Sequence, residues 1–215
     1  YPTNPEMFLF DIDDYFKKDG PFRSGRVLLG IEVGLQPRAI EEDRKMVQAH
    51  PFDEVVGSMH CFDGLDMYEP TTYEGLTKDQ AVRRYLEDSV RCLERKPDFD
   101  SYGHIDYISR YMPYEDPNLH YKDHPDLWDR VFQLLIQENK ALEINTRRLG
   151  DDSTIPPLLE LYKRFRELGG KYATLGSDAH YKEHVGRDFA KGKAIAGAAG
   201  LTLVYYKERK RMLCE

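Results

Sequence analysis

Asp178 and His180 stand one residue apart in TLGSDAH, residues 174–180, and each offers a lone pair suited to a divalent metal. On extended backbone the side chains at i and i+2 leave the same face, so the pair would present an oxygen and a nitrogen in one direction. Two donors do not close a site, and Asp-x-His arises often by chance. The chain has further donors: Glu32 within the apolar run LLGIEVGL, His60 ending VVGSMH, and His104 in YGHIDY with Asp106 two residues on. Glu32 carries the most weight among these, because a carboxylate buried in an apolar strand is costly unless it is paired or metal-bound. Glu32, His60, His104, Asp178 and His180 together, with no thiolate among them, form a hard-to-borderline set. Such a set suits Zn, Mn or Fe in a site of more than one metal, and Glu32 is the carboxylate able to bridge. His50, His120, His124 and His184 lie in loop-like or helix-start contexts and read as surface residues.

These donors need elements to hold them, and the chain alternates short β-rich runs with longer charged segments of helical period. Strands are expected over 26–35, 53–60, 100–110, 141–146, 171–178 and 201–206, with helices over 38–50, 77–95, 125–140, 156–170 and 186–200. In the second helix Ala81, Tyr85, Val90 and Leu93 fall near 3.6-residue spacing, and Thr77 with Gln80 forms a capping-box start. Prolines at the front of 156–170 and glycines at its back are the usual helix ends. Strands separated by helical segments imply βαβ units and a mostly parallel α/β sheet, open or closed as a barrel. In such folds the C-terminal strand ends form the functional face. Those ends carry Glu32 and Gln36, His60, His104 and Asp106, Glu143 and Asn145, and Asp178 and His180.

Composition narrows the partners. With 31 Lys and Arg against 38 Asp and Glu, the formal charge of −7 supplies no overall positive field for nucleic acid or an anionic membrane surface. An anionic substrate therefore needs a local patch, and Arg110 in HIDYISRY and Arg147 in EINTRR both follow strand ends directly. Arg148 is the alternative to Arg147, and Arg187 in HVGRDF is a further cation at a helix start. Three cysteines without a Cys-x-x-Cys pair fit a reducing, cytoplasmic setting. The longest nearly apolar run, residues 194–206, falls short of the roughly 20 residues that span a bilayer. At 215 residues the chain fits one domain over 1–215.

GIEVGL, VVGSMHCFDGLD, GHIDYISRY, EINT and TLGSDAH, in this order, resemble the polymerase and histidinol phosphatase (PHP) superfamily of metal-dependent phosphoesterases, and more narrowly its histidinol-phosphatase branch. The likeness spans about residues 26–190, and its specificity lies in the ensemble, including the 28-residue step from Glu32 to His60. It implies a distorted (β/α)7 TIM-like barrel with two or three divalent ions at its C-terminal rim. Glu32 would bridge, His60 and His104 would complete one metal, Asp178 would bind a second and His180 a third. Arg110 and Arg147, with Asn145 and Arg187, would bind the substrate phosphate. Asp106 would orient His104 or donate a proton to the leaving group. The implied reaction is hydrolysis of L-histidinol phosphate to L-histidinol and phosphate in histidine biosynthesis. The alternatives are another small phosphate ester or a non-catalytic PHP-like metal-binding module.

The family begins with a His-x-His strand, and no histidine precedes Glu32 here, while the sequence opens at Tyr1 without a methionine. The expectation is a chain lacking its first one or two βα units, with one metal position complete.

Overall fold

A computed structural model of the chain describes residues 11–214. An upstream His-x-His strand would precede Tyr1 and lies outside the described residues. Helix α1 (Ile12–Asp19) leads into β1 (Gly30–Gly34), α2 (Ile40–Ala49) and β2 (Glu54–Ser58). A short hairpin of β3 (Cys61–Phe62) and β4 (Leu65–Asp66) precedes α3 (Lys78–Leu93) and β5 (Ser101–Tyr102). Then come α4 (Pro125–Gln137), β6 (Ala141–Asn145), α5 (Ile155–Glu167), β7 (Tyr172–Gly176), α6 (Phe189–Ala199), β8 (Thr202–Lys207) and β9 (Lys210–Leu213). The main sheet runs β1-β2-β5-β6-β7-β8-β9, parallel throughout except for the antiparallel β8–β9 pair. This is the expected α/β architecture with a parallel central sheet.

Each helix forms for local reasons and docks for tertiary ones. Thr77 accepts from the Gln80 N–H while the Gln80 side chain accepts from the Thr77 N–H, the reciprocal cap read from the sequence. Such a cap contributes about 1 kcal/mol. Helix α5 starts with prolines in its first turn and buries Leu158, Leu161, Tyr162 and Phe165, one face at helical spacing. Tyr162 donates its hydroxyl to the Glu143 carbonyl at 2.8 Å, which ties α5 to the middle of β6. Strand β6 is buried along its whole length. Leu142 and Ile144 join the large core under the helices, whereas Ala141 joins Val204 and Tyr206 on the other face of the sheet. Alternation along the strand thus sends Glu143 and Asn145 to that second face.

Three details differ from the periodicity reading. The expected third strand over 100–110 is only Ser101–Tyr102 long, and the chain leaves it at Gly103, where a side-chain carbon would stand 2.3 Å from Ser58 Oγ. The β3–β4 hairpin lies between the strand expected to end at 60 and the helix expected from 77, where no element is expected. Strand β9 follows a turn whose Glu208 and Arg209 both have left-handed backbone, φ 51° and 61°, a conformation that composition does not announce. Among the described residues, no helix is long and apolar enough to cross a membrane.

Glu54, at the first position of β2, makes stability depend on pH. It is half-buried and accepts a hydrogen bond from Ser101 Oγ at 2.6 Å. Burial pushes its carboxyl up to about 7, against the pull of the Ser101 bond, and Asp100 and Glu143 add to the rise. The folded protein therefore holds a proton that the unfolded chain releases near the ordinary 4.5. The stabilising contribution is complete below that value and is lost as pH rises through about 7. Glu54→Gln is expected to match the parent near pH 4 and to exceed it by about 2 kcal/mol at pH 8. Urea unfolding at both pH values measures this, and a difference that does not change with pH refutes it.

Candidate functional site

The strand ends bring the predicted donors to one rim, where they sort into two groups. In the first, Glu32 from β1, His60 just past β2 and His104 just past β5 offer ligand atoms that all lie within 4.8 Å of one another. Glu32 Oε1 is 3.0 Å from His60 Nε2 and 2.9 Å from His104 Nε2. Parallel pairing sets this up, since Glu32 is in register with Val56 and Gly34 with Ser58, so β1 and β2 advance together to the rim. Burial alone would raise the Glu32 carboxyl, but the hydrogen bonds from His104 and His60 outweigh it and hold it well below the carboxylate range. Burial would likewise lower the His104 imidazole, yet the bond to Glu32 and the nearby Glu143 charge raise it.

The expected burial of Glu32 needs correction. Its side chain is 41% exposed, because among the described residues β1 is an edge strand of the sheet and its Glu32 face opens to the rim, while Val33 on the opposite face is buried. His104 is the deeply buried member.

The donor chemistry fits a divalent metal. One carboxylate and two imidazoles converge on a common point, a set suited to zinc and to its neighbours in the first transition row. Among the described residues the buried His104 Nδ1 has no hydrogen-bond partner, while the ring's other nitrogen faces Glu32. Tyr107 packs its ring against both imidazoles, with centroids 4.6 Å from His60 and 4.9 Å from His104.

The second group joins Arg110, from the segment after β5, to the end of β6 and the loop after β7. Arg110 Nη1 donates to Asp178 Oδ2 at 2.6 Å and Arg110 Nη2 to Asn145 Oδ1 at 3.2 Å. Arg147 Nη1 stands 3.4 Å from the same Asp178 oxygen and 3.3 Å from His180 Nδ1. Arg110 is nearly buried, its guanidinium stacks over Tyr107, and its Nε has no partner among the described residues. Arg147, Arg187, Ser177, Asp178, His180, Tyr181 and His184 line a small cleft open to solvent.

Asp178 and His180 do not share a strand face as the extended-chain argument expected. Strand β7 ends at Gly176, Asp178 has left-handed backbone at φ 48°, and His180 points into solvent with 63% exposure. Nor do they join the group around Glu32; Asp178 pairs with Arg110 and Arg147, and His180 Nδ1 lies 3.6 Å from Asp178 Oδ1 and 3.3 Å from Arg147 Nη1. Asp106 also departs from expectation. Its backbone is no longer extended, and its buried carboxylate accepts from Arg148 Nη1 at 2.9 Å instead of touching His104. Arg148, further anchored by Asn118, is thereby turned away from the cleft, which leaves Arg147 as the rim cation. His124, read as a surface residue, is buried with Nε2 3.2 Å from Asp79. Glu143, placed at a strand end by the sequence but given no role there, accepts the His104 backbone N–H at 2.7 Å. The available signal was the one that singled out Glu32, a carboxylate inside an apolar run.

Residues 5–147 match the PHP domain. The chain belongs to the PHP domain family. This PHP chain is 39% identical over 209 residues to a probable histidinol-phosphatase of Clostridium acetobutylicum, covering 97% of the chain and 82% of that relative. It is 29% identical to a histidinol-phosphatase of Lactococcus lactis, covering 90% of the chain and 74% of the relative. Its structure superposes on the crystal structure of histidinol phosphate phosphatase from Lactococcus lactis in complex with Zn, L-histidinol and phosphate. The TM-score is 0.84 at 28% identity, over 95% of this chain and 81% of that one. The PHP match takes in Glu32, His60, His104, Arg110 and Asn145 and ends at Arg147, before Asp178 and His180.

Proposed function

We propose that this chain is a metal-dependent phosphomonoesterase that hydrolyses L-histidinol phosphate to L-histidinol and phosphate. The observation that carries the reading is the juxtaposition of a carboxylate–imidazole triad with an arginine pair on one rim, in a chain similar along its length to histidinol-phosphatases. Glu32, His60 and His104 hold one divalent ion in this reading, and Asp178 and His180 serve the remainder of a set of two or three. Zinc is the ion bound in the similar Lactococcus protein, and Mn and Fe suit the same donors. When bound, such ions supply a water of lowered pKa and neutralise phosphoryl oxygens.

The chain's own residues do the rest. Arg110 and Arg147 meet the phosphoryl group with planar forks that match its oxygens. Asp178 holds both arginines in place, and an arriving phosphate dianion substitutes for that carboxylate as their counter-charge. Asn145 fixes Arg110 from behind, and Arg187 adds a cation at the mouth of the cleft. Asp106 acts at a distance by keeping Arg148 out of the cleft. The three free cysteines suit a reducing compartment, and we assign the protein to the cytoplasm.

Phosphate release from L-histidinol phosphate, compared with a generic phosphomonoester in the presence of Zn, Mn or Fe, tests the assignment. A preference of about 100-fold in kcat/KM is expected. Equal rates would remove the substrate while leaving the reaction class.

A further inference from the structure

We propose that Glu143 and Asn145 are positioning residues forming a strut that sets the separation between the Glu32–His60–His104 group and the arginine group. The proposal rests on reading those groups as the metal and phosphate sites. Glu143 Oε2 accepts from the His104 backbone N–H at 2.7 Å and from Asn145 Nδ2 at 3.2 Å. Asn145 Oδ1 in turn accepts from Arg110 Nη2 at 3.2 Å and from the Arg147 backbone N–H at 3.0 Å. One unbroken path therefore runs from a donor of the triad to both rim arginines, through two residues of a single rigid strand.

The surroundings fix the strut. Glu143 is buried, and its own carbonyl is pinned by the Tyr162 hydroxyl of α5. On β7 the neighbour is Gly176, in register with Asn145, where an added side-chain carbon would stand 2.0 Å from Glu143 Oε1. The missing side chain at 176 is what leaves room for the carboxylate. A buried carboxylate carries a desolvation cost, which an apolar side chain would avoid only by leaving the His104 N–H and Asn145 Nδ2 without an acceptor. A carboxylate there makes sense as the stronger, charge-assisted acceptor for donors on both sides. Glu143 orients His104 through its backbone N–H and not through its ring, and outer partners that orient a metal ligand typically change metal affinity or activity 10–100-fold when replaced.

Glu143→Leu keeps the volume and removes the acceptor, Glu143→Gln keeps one oxygen for the two donors, and Gly176→Ala displaces the carboxylate from the facing strand. The readouts are zinc affinity by chelator competition, inorganic phosphate affinity by calorimetry, and the thermal midpoint, all on the full chain. Glu143→Leu is expected to weaken zinc and phosphate together, each by about tenfold or more, and to lower the midpoint as well, since the His104 N–H and the Asn145 amide lose their acceptor. Glu143→Gln is expected to restore most of both affinities, and Gly176→Ala to reproduce the Leu phenotype. Should Glu143→Leu fail to fold, Gly176→Ala decides the matter by the same two affinities. A change confined to one ion, a loss of midpoint with both affinities intact, or a Gln variant no better than Leu overturns the strut. No readout depends on hydrolysis, so an incorrect substrate leaves the result standing, whereas a parent protein that binds neither ion overturns the strut and the site assignment alike.

Discussion

Glu32→Gln is expected to strip the protein of its triad-bound metal and to lower turnover of L-histidinol phosphate by about 10³-fold or more. The reason lies in one oxygen: Glu32 Oε1 is the shared partner of His60 Nε2 and His104 Nε2, at 3.0 and 2.9 Å. An amide is uncharged, so it neither neutralises a divalent cation nor balances two imidazoles, although it fills the same space. The side chain is 41% exposed, so its replacement leaves the hydrophobic core untouched, but His60 and the buried His104 lose an anionic partner, and the thermal midpoint of the metal-free protein should fall by a few degrees at neutral pH. Elemental analysis, phosphate release and calorimetry on one preparation separate a lost site from a lost fold. A Gln variant that retains metal and turnover would remove Glu32 from the chemistry.

Arg110→Ala should act on both catalysis and stability. Loss of a preorganised donor at the transferring group is expected to cost about 10²–10³ in kcat/KM. The same change leaves Asp178, 14% exposed, with Arg147 at 3.4 Å and His180 at 3.6 Å, and takes from Asn145 Oδ1 its 3.2 Å donor. Breaking a mostly buried ion pair from one side costs about 3 kcal/mol, which for a chain of this size lowers the midpoint by roughly 8 °C. Arg110→Lys keeps the charge and loses the fork, so it should recover most of the stability and little of the phosphate affinity. Wild-type kcat/KM in the Ala variant would transfer phosphate recognition to Arg147 and Arg187.

The legible part of this protein followed from local chemistry repeated along the chain. Thr77 and Gln80 announce the start of α3 because their reciprocal bonds join residues three apart, and the bonds are there as read. Leu158, Leu161, Tyr162 and Phe165 mark one face of α5 by spacing alone. The third strand was misjudged because its length depends on Gly103 passing close to Ser58, a contact between residues 45 positions apart. Extended-chain geometry served for Glu143 and Asn145, which lie inside β6. It failed for Asp178, His180 and Asp106, which lie past the ends of their strands, where the backbone is free to turn.

By itself the sequence determined the order of strands and helices and the kinds of donor available. It also determined their arrival on one rim, because parallel βα units put every strand's C-terminal end on the same side of the sheet. Only the tertiary structure decided which donors meet. Arg148, not Arg147, turns to Asp106; Asp178 takes the arginines as partners; and Glu143, one more carboxylate in an apolar run, links His104 to Asn145. Several of these partners come from different strands and lie 30 to 70 residues apart, as Arg110 and Asp178 do. Periodicity along a chain specifies the face from which a side chain leaves its own element, whereas the partner it finds there is set by the register and twist of the neighbouring strands.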